Sequence, residues 1–288
     1  MSFDLIARAK INWSLNITGL RADGYHLLDM LMQTIDLHDT LEIEPAVGLS
    51  LTVGDTPAGE ENLVLRAAMA LNRHAGTRRG ARMALIKRIP ARAGLGGGSA
   101  DCATALRALN GLWGLGLSEV ELLEIGLSLG ADVPFCLTGG LARVRGIGED
   151  ILPVPQAPSI PLVLVVPGGG LSTGAVFSLW DRGGYPEVRL DNAALAGAVI
   201  AGRLDEVDRL CANALTSPAV SLMPEIGSLI ERMRALGAGA AFMTGSGSAV
   251  VGAFADDDAA RCAARSLPGA LLARTTTDLS ECWQSVEK

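Results

Sequence analysis

The sequence predicts an α+β protein made of two packed parts. Three observations carry that prediction. Strand-like alternation opens the chain, a glycine cluster runs straight into a helical pattern, and a proline-rich stretch divides this half from a second one with its own order of strands and helices. The length of 288 residues exceeds one ordinary hydrophobic core, and 49% apolar against 19% charged residues is the composition of a compact globular protein.

Taken in order, Phe3 to Ile17 mixes strand formers with Lys10 and Asn12, and Leu41 to Glu44 alternates apolar and polar residues as half-buried strands do. Between Asn62 and Ala75 the positions Leu63, Leu65, Ala67, Ala68 and Leu71 support a short helix, and Arg82 to Ile86 reads as a strand. The glycine cluster then precedes Cys102, Leu106, Leu109 and Trp113, whose three- and four-residue spacing is that of a helix face. Ser118 and Glu121 have the spacing of a capping box, Leu122 to Leu129 supply the helix behind it, and Gly130 is placed to end it. Asp132 follows at once, just before Pro134. After a strand-like Leu141 to Arg145, four prolines fall between Pro153 and Pro161, so the division is expected at residues 1–153 and 154–288. The second part reads as a strand from Leu162 to Val166, a glycine turn, several helices, a strand pair around Gly245 to Gly247, a helix from Asp256 and a strand from Leu271.

Charge narrows the function. With 24 Lys plus Arg against 31 Asp plus Glu, the net charge of -7 argues against broad binding to nucleic acid or an anionic membrane. An anionic ligand therefore needs a local positive site. The cysteines Cys102, Cys136, Cys211, Cys262 and Cys282 are scattered, odd in number and never spaced C-x-x-C, which predicts reduced, buried thiols rather than a zinc site or a disulfide framework. Residues 1–9 lack the apolar core of a signal peptide and no apolar run reaches the roughly 18 residues of a membrane span, so a cytoplasmic location is expected. No obligate protein partner is indicated.

The glycines at 94, 96, 97 and 98 supply that positive site. Without a Cβ, the backbone can bring its N–H groups against phosphate oxygens, the following helix adds its N-terminal dipole, and Ser99 adds a hydroxyl for phosphate or a metal ion. The loop lacks the Lys-Ser/Thr pair of a Walker A motif, and Ser99 breaks a G-x-G-x-x-G dinucleotide fingerprint. A plain strand-to-helix turn remains the alternative.

The segment PARAGLGGGSADCAT at Pro90 to Thr104 resembles the P-x-x-x-G-L-G-S-S motif of the GHMP kinases. Three further stretches are similar to the same family: Ala7 to Asp39 with Lys10, Asn12 and the run Arg21-Ala22-Asp23-Gly24-Tyr25-His26, Leu129 to Gly140 with Asp132, and MTGSGSAVVGAF at Met243 to Phe254. The triple glycine and the Tyr25-His26 pair resemble the branch that phosphorylates a cytidylated alcohol. Gly174 departs from the pattern, standing where relatives often carry proline, whereas Phe177 keeps the aromatic. The resemblance implies a ribosomal-protein-S5-like N-terminal domain and a ferredoxin-like C-terminal domain, with ATP and a small alcohol meeting between them.

It also implies residue roles. Pro90, Ala91, Arg92, Ala93, Gly94, Leu95, Gly96, Gly97, Gly98, Ser99 and Ala100 would hold ATP. Asp132 would take the proton of the alcohol, Lys10 would orient and tune that carboxylate, and Asn12 would add a polar contact. Tyr25, His26, Lys87 and Phe177 would surround the cytidine end, through aromatic faces and hydrogen bonds to the base edge. Gly245 and Gly247 either approach the ligands or form an ordinary turn. Mg2+ is expected with ATP, its protein ligands unassigned, and His38 and His74 read as surface groups. A GHMP kinase acting on mevalonate or homoserine, or a silent metabolite sensor of the same fold, would share the loop. Tyr25-His26 argues against the first, and the presence of both Lys10 and Asp132 against the second.

Overall fold

The computed structural model describes residues 3–54, 56–155, 157–183, 185 and 188–277. In β1 (Phe3–Leu20) the run Lys10-Ile11-Asn12-Trp13-Ser14 alternates polar and apolar residues, and the period of two sends Ile11 and Trp13 into one core and the three polar side chains to the opposite face. All five are buried. β1 pairs antiparallel with β2 (His26–Ala46), which is far longer than the predicted Leu41 to Glu44. Polar residues hide the extent of β2 in the sequence, and each of three finds a partner in the fold. Asp29 takes Arg143, Gln33 accepts from Trp13 Nε1 at 2.8 Å, and Asp39 accepts from the backbone N–H groups of Arg88 and Ile89.

The first half continues through β3 (Leu49–Val53), β4 (Thr56–Pro57), α1 (Leu63–Ala75), β5 (Gly80–Ile86), α2 (Gly97–Trp113), α3 (Glu119–Leu129), α4 (Val133–Thr138), β6 (Leu141–Gly146) and β7 (Asp150–Val154). The sheet order is β4-β3-β5-β2-β6-β7, with β1 on β2 and the β3–β5 pair parallel. Helix ends follow local chemistry. Asn62 caps α1 by accepting from Val64 N at 2.9 Å, and Ser118 and Glu121 form the predicted reciprocal capping box on α3. α4, absent from the sequence prediction, is six residues long and starts where Pro134 has no N–H to lose. Helices α1, α2 and α3 cover one face of the sheet through Leu65, Leu71, Leu106, Leu109 and Ile125.

The second half comprises β8 (Pro161–Val165), a short 3-10 turn at Pro167–Gly169, α5 (Thr173–Asp181), α6 (Asn192–Ile200), α7 (Leu204–Leu210), α8 (Thr216–Leu222), α9 (Glu225–Ala235), β9 (Ala240–Met243), β10 (Val250–Ala253), α10 (Asp257–Arg265) and β11 (Leu271–Arg274). Its antiparallel sheet runs β11-β8-β10-β9. Helices follow β8 and β10, which is the β-α-β-β-α-β plan of a ferredoxin-like domain. Gly174 lies in the first turn of α5, which forms without the proline, and an added Cβ there would meet nothing within 4 Å.

The halves share their cores. Ile11, Trp13 and Leu31 pack with Leu162, Leu195 and Phe242, the Trp13 and Phe242 rings lying 5.2 Å apart, while Leu15, Met32 and Phe135 pack with Val163, Met243 and Phe254. A buried polar network crosses the same seam. Asn192 Nδ2 donates to Asp29 Oδ1 at 2.8 Å, Ser14 Oγ donates to Asn192 Oδ1 at 2.6 Å and accepts from Leu31 N at 3.0 Å, and Arg143 holds both Asp29 oxygens. Burial opposes ionisation of Asp29, but the Arg143 and Asn192 hydrogen bonds outweigh it and hold its carboxyl below the usual carboxylate range. Replacing Asn192 by Ala strands the Ser14 hydroxyl and is expected to lower stability by about 2 kcal/mol. Urea denaturation measures it, and an unchanged midpoint would show that the network contributes nothing.

The four described cysteines are free thiols, but only Cys102 is buried; Cys136 and Cys211 are half-buried and Cys262 is exposed, correcting the expectation of burial. It lies on α10, which turns Ala260 and Ala263 inward instead. Cys282 lies outside the described residues. Among the described residues no helix is long and apolar enough to cross a membrane.

Candidate active site

The glycine loop lies between the two sheets and is tied to both. On the β1 side Lys10 N donates to Leu95 O at 3.0 Å, and on the other side Ala249 N donates to Ala93 O at 3.1 Å and Leu171 N to Arg92 O at 3.1 Å. Arg92 itself adopts a left-handed φ of 54°. Gly94 is required by close approach: with φ +77°, an added Cβ would stand 2.2 Å from Thr244 O. Gly245 answers it from the turn between β9 and β10, where a Cβ would meet Gly94 O at 2.8 Å. The C-terminal glycine motif therefore packs backbone to backbone against the loop. Gly247 serves the turn itself, donating to Thr244 O at 3.0 Å.

A cavity of about 940 Å³ opens beside the loop, lined from both halves. It brings together Lys10, Asn12, Tyr25, His26, Lys87, the whole run Pro90 to Ser99, Asp132, Phe177 and Gly245. Two candidates are not on its wall: Ala100, buried in α2, and Gly247.

Asp132 occupies the N-cap position of α4, yet its carboxylate makes no capping bond. It turns to Lys10, whose Nζ stands 3.3 Å from Asp132 Oδ2 and donates to Asn12 Oδ1 at 2.6 Å. Asn12 N in turn donates to Thr244 Oγ1 at 2.8 Å. Lys10 is nearly inaccessible while Asp132 keeps 32% of its side chain open to the cavity. The ammonium is thereby a fixed charge, and the carboxylate remains within reach of a ligand hydroxyl.

At the cavity mouth, Gly24 (φ 88°) and the Arg21 N to Tyr25 O bond of 2.8 Å close the β1–β2 turn, placing an exposed Tyr25 beside His26. The His26 ring lies against Phe177 of α5, with centroids 4.7 Å apart and planes 32° apart, and Trp180 meets it edge-on at 5.8 Å. Its Nε2 is 2.7 Å from Asp181 Oδ1.

Lys87 is placed differently from the expectation that grouped it with these rings. Its Nζ is bonded to Asp39 and, at 2.7 Å, to Asp101 Oδ2, and it stands 3.4 Å from where a Cβ on Gly97 would be. Strand β5 delivers it to the glycine loop instead. Burial pushes the Asp101 carboxyl up to about 7 against the pull of Lys87, and the other oxygen of Asp101 is buried without a partner. On Lys87 burial acts against the charge, but the two carboxylates prevail and raise its pKa. His38 and His74 stand outside the cavity, at Asp36 O and Glu121.

Sequence reading missed Asp39, Asp101, Asn62, Thr173 and Asp181. Asp101 and Asn62 carried a faint signal, lying beside the glycine run and at a helix start. Asp181 carried none, because only the packing of α5 against the β1–β2 turn brings it to His26.

Comparison with known proteins accounts for this arrangement. The family model described as GHMP kinases N terminal domain matches residues 62–140, and that described as GHMP kinases C terminal matches residues 195–271. A 4-diphosphocytidyl-2-C-methyl-D-erythritol kinase of Pelotomaculum thermopropionicum is 44% identical, covering 91% of this chain and 92% of its own length. A protein of the same name from Syntrophotalea carbinolica is 43% identical over 91% and 93%. A crystal structure of 4-(cytidine 5'-diphospho)-2C-methyl-D-erythritol kinase superposes with a TM-score of 0.80 at 38% identity, covering 94% of this chain and 98% of the other. The homoserine kinase of Cytophaga hutchinsonii, at 18% identity and a TM-score of 0.72 over 96% and 95%, shares the fold. The chain belongs to the 4-diphosphocytidyl-2-C-methyl-D-erythritol kinase family of the GHMP kinases.

Proposed function

We propose that the protein transfers the γ-phosphoryl group of ATP to the 2-hydroxyl of 4-diphosphocytidyl-2-C-methyl-D-erythritol, giving the 2-phosphate and ADP in the non-mevalonate route to isopentenyl diphosphate. The observation that carries this reading is one cavity holding a glycine loop, a Lys10–Asp132 pair and the His26–Phe177 ring cluster. Phosphoryl transfer needs an alcohol oxygen in line with the γ-phosphate, its proton removed and the spreading charge neutralised. Asp132 accepts the hydroxyl proton. Lys10, held by Asn12, keeps that carboxylate oriented and places positive charge beside the reacting oxygen. Residues Gly94 to Gly98 take the phosphates, with the unpaired N–H groups at the start of α2 directed to them.

Mg2+ would arrive with ATP and neutralise its phosphates. Among the described residues no three His, Cys, Asp or Glu side chains gather into a preformed cage, so the ion would be held chiefly by the nucleotide, with the Ser99 hydroxyl as a hard oxygen donor from the protein. We place the reaction in the cytoplasm, in keeping with the free thiols and the use of ATP. The division proposed at 153/154 falls at the last residue of β7, which ends at Val154 and is the last strand of the first sheet.

Tyr25 and Phe177 offer the faces for the cytosine ring. Phe177→Ala is expected to weaken the cytidylated substrate by about 1–3 kcal/mol, with ATP affinity unchanged. Equal weakening of both ligands in calorimetric titrations would remove Phe177 from the cytidine site. Incubating the protein with Mg-ATP and 4-diphosphocytidyl-2-C-methyl-D-erythritol, mevalonate or homoserine, then identifying products by mass spectrometry, tests the whole reading. A selective 2-phosphate product upholds it, and phosphorylation of another alcohol overturns it.

A further inference from the structure

Asp181 has no part in the chemistry derived above, yet it reaches across the seam to make the one hydrogen bond that His26 forms through its side chain among the described residues. Its carboxylate lies at the end of α5, 44% exposed, while the His26 side chain is only 13% exposed. An ionised carboxylate accepts hydrogen bonds and cannot donate them. In a neutral imidazole only one nitrogen carries hydrogen, so the 2.7 Å contact puts that hydrogen on Nε2 and leaves Nδ1 with a lone pair. The ring cannot readily turn over to exchange the two, because Phe177 covers its face and Trp180 stands at its edge. A neutral His26, which lines the cavity, therefore has its acceptor at Nδ1.

We propose that Asp181 is a specificity-determining positioning residue: by fixing the Nε2–H tautomer of His26 it makes the site select a cytidine over a uridine substrate. The inference rests on the cytidine reading of the site. Cytosine and uracil stack alike and differ at the 4-position, where cytosine carries an amino donor and uracil a carbonyl acceptor. A lone pair on Nδ1 accepts from the amino group. It faces the uracil carbonyl with two acceptors and no hydrogen between them, and a buried polar group left unpaired in this way is the strongest form of discrimination that a pocket achieves. Tyr25 and Phe177 supply affinity for either base. The tautomer supplies the choice.

The test uses the full chain with two substrates that differ only in the base, the cytidine and the uridine diphosphate esters of methylerythritol. Asp181 is partly exposed at a helix end, so Asp181→Ala is expected to fold. In the wild type, nitrogen-15 spectra of the imidazole groups should show His26 neutral and protonated on Nε2, and kcat/KM should favour the cytidine ester by about 100-fold or more. In Asp181→Ala the His26 signals should move to a mixture of tautomers and the preference should fall at least about tenfold, through KM for the nucleotide ester, with kcat and KM for ATP unchanged. An altered tautomer with an unaltered preference overturns the proposal. So does a wild-type His26 protonated on both nitrogens at neutral pH. If neither ester is phosphorylated by the wild type, the cytidine reading has failed and this inference falls with it, a result distinct from the other two.

Discussion

Asp132→Asn lowers kcat by about 10²–10⁴-fold with folding and nucleotide affinity preserved. The substitution barely changes volume, and the amide oxygen can still accept from Lys10 Nζ, so the 3.3 Å contact and the Lys10–Asn12 bond have no reason to break. Asp132 makes no capping bond to α4, so the helix loses nothing either. What disappears is a basic oxygen open to the cavity and the negative charge that matches Lys10. The loss should appear in kcat and kcat/KM together, as for an interaction made only in the transition state. Steady-state kinetics with both substrates saturating, alongside ADP titration calorimetry and a thermal melt, measures all three quantities. Turnover within about threefold of the wild type would mean that the proton leaves by another route, directly to phosphate or to water.

The parts of this site that were legible in the sequence are those in which local chemistry and position coincide. The glycine loop announces itself because Gly94 and Gly96 need left-handed backbone at fixed steps before a helix. The Lys10–Asn12 pair shows as polar breaks in an apolar strand, and the period of two puts both on the cavity side. What stayed hidden depends on tertiary partners. Most of β2 looks unlike a strand until Arg143, Trp13 and the Arg88 backbone are seen to satisfy its polar residues. The clamp on Lys87 was hidden because nothing local distinguishes a lysine bound for a base from one held by Asp39 and Asp101, residues 48 and 14 positions away. The two glycines of the C-terminal motif separated in the same way: both come close to Gly94, but only Gly245 lines the cavity.

Gly96→Ala is expected to reduce kcat/KM by about 100-fold or more without replacing either of the proposed catalytic side chains. Two effects combine at this position. Its φ of +69° lies in the left-handed region, which costs an L-residue about 1–2 kcal/mol. Its Cβ would then stand 2.9 Å from Lys10 Cγ and 3.0 Å from Lys10 Cε. The backbone of the loop is tied to β1 and to the second half, whereas the Lys10 chain can rotate, so Lys10 is the group that yields. Its Nζ then leaves Asp132 and Asn12, and the ammonium no longer sits where charge develops. Gly98→Ala is the internal control. That residue is already helical, its added Cβ would meet only Leu63 Cδ1 at 3.6 Å, and Ala is the better helix former by about 0.8–1.0 kcal/mol, so the protein alone should accept it. If Gly98→Ala melts no lower than the wild type yet loses ATP affinity, the missing Cβ at 98 serves the phosphates, while the one at 96 serves Lys10. Wild-type turnover in Gly96→Ala would show instead that Lys10 can be displaced without cost, and its assigned place beside the reacting oxygen would have to be given up.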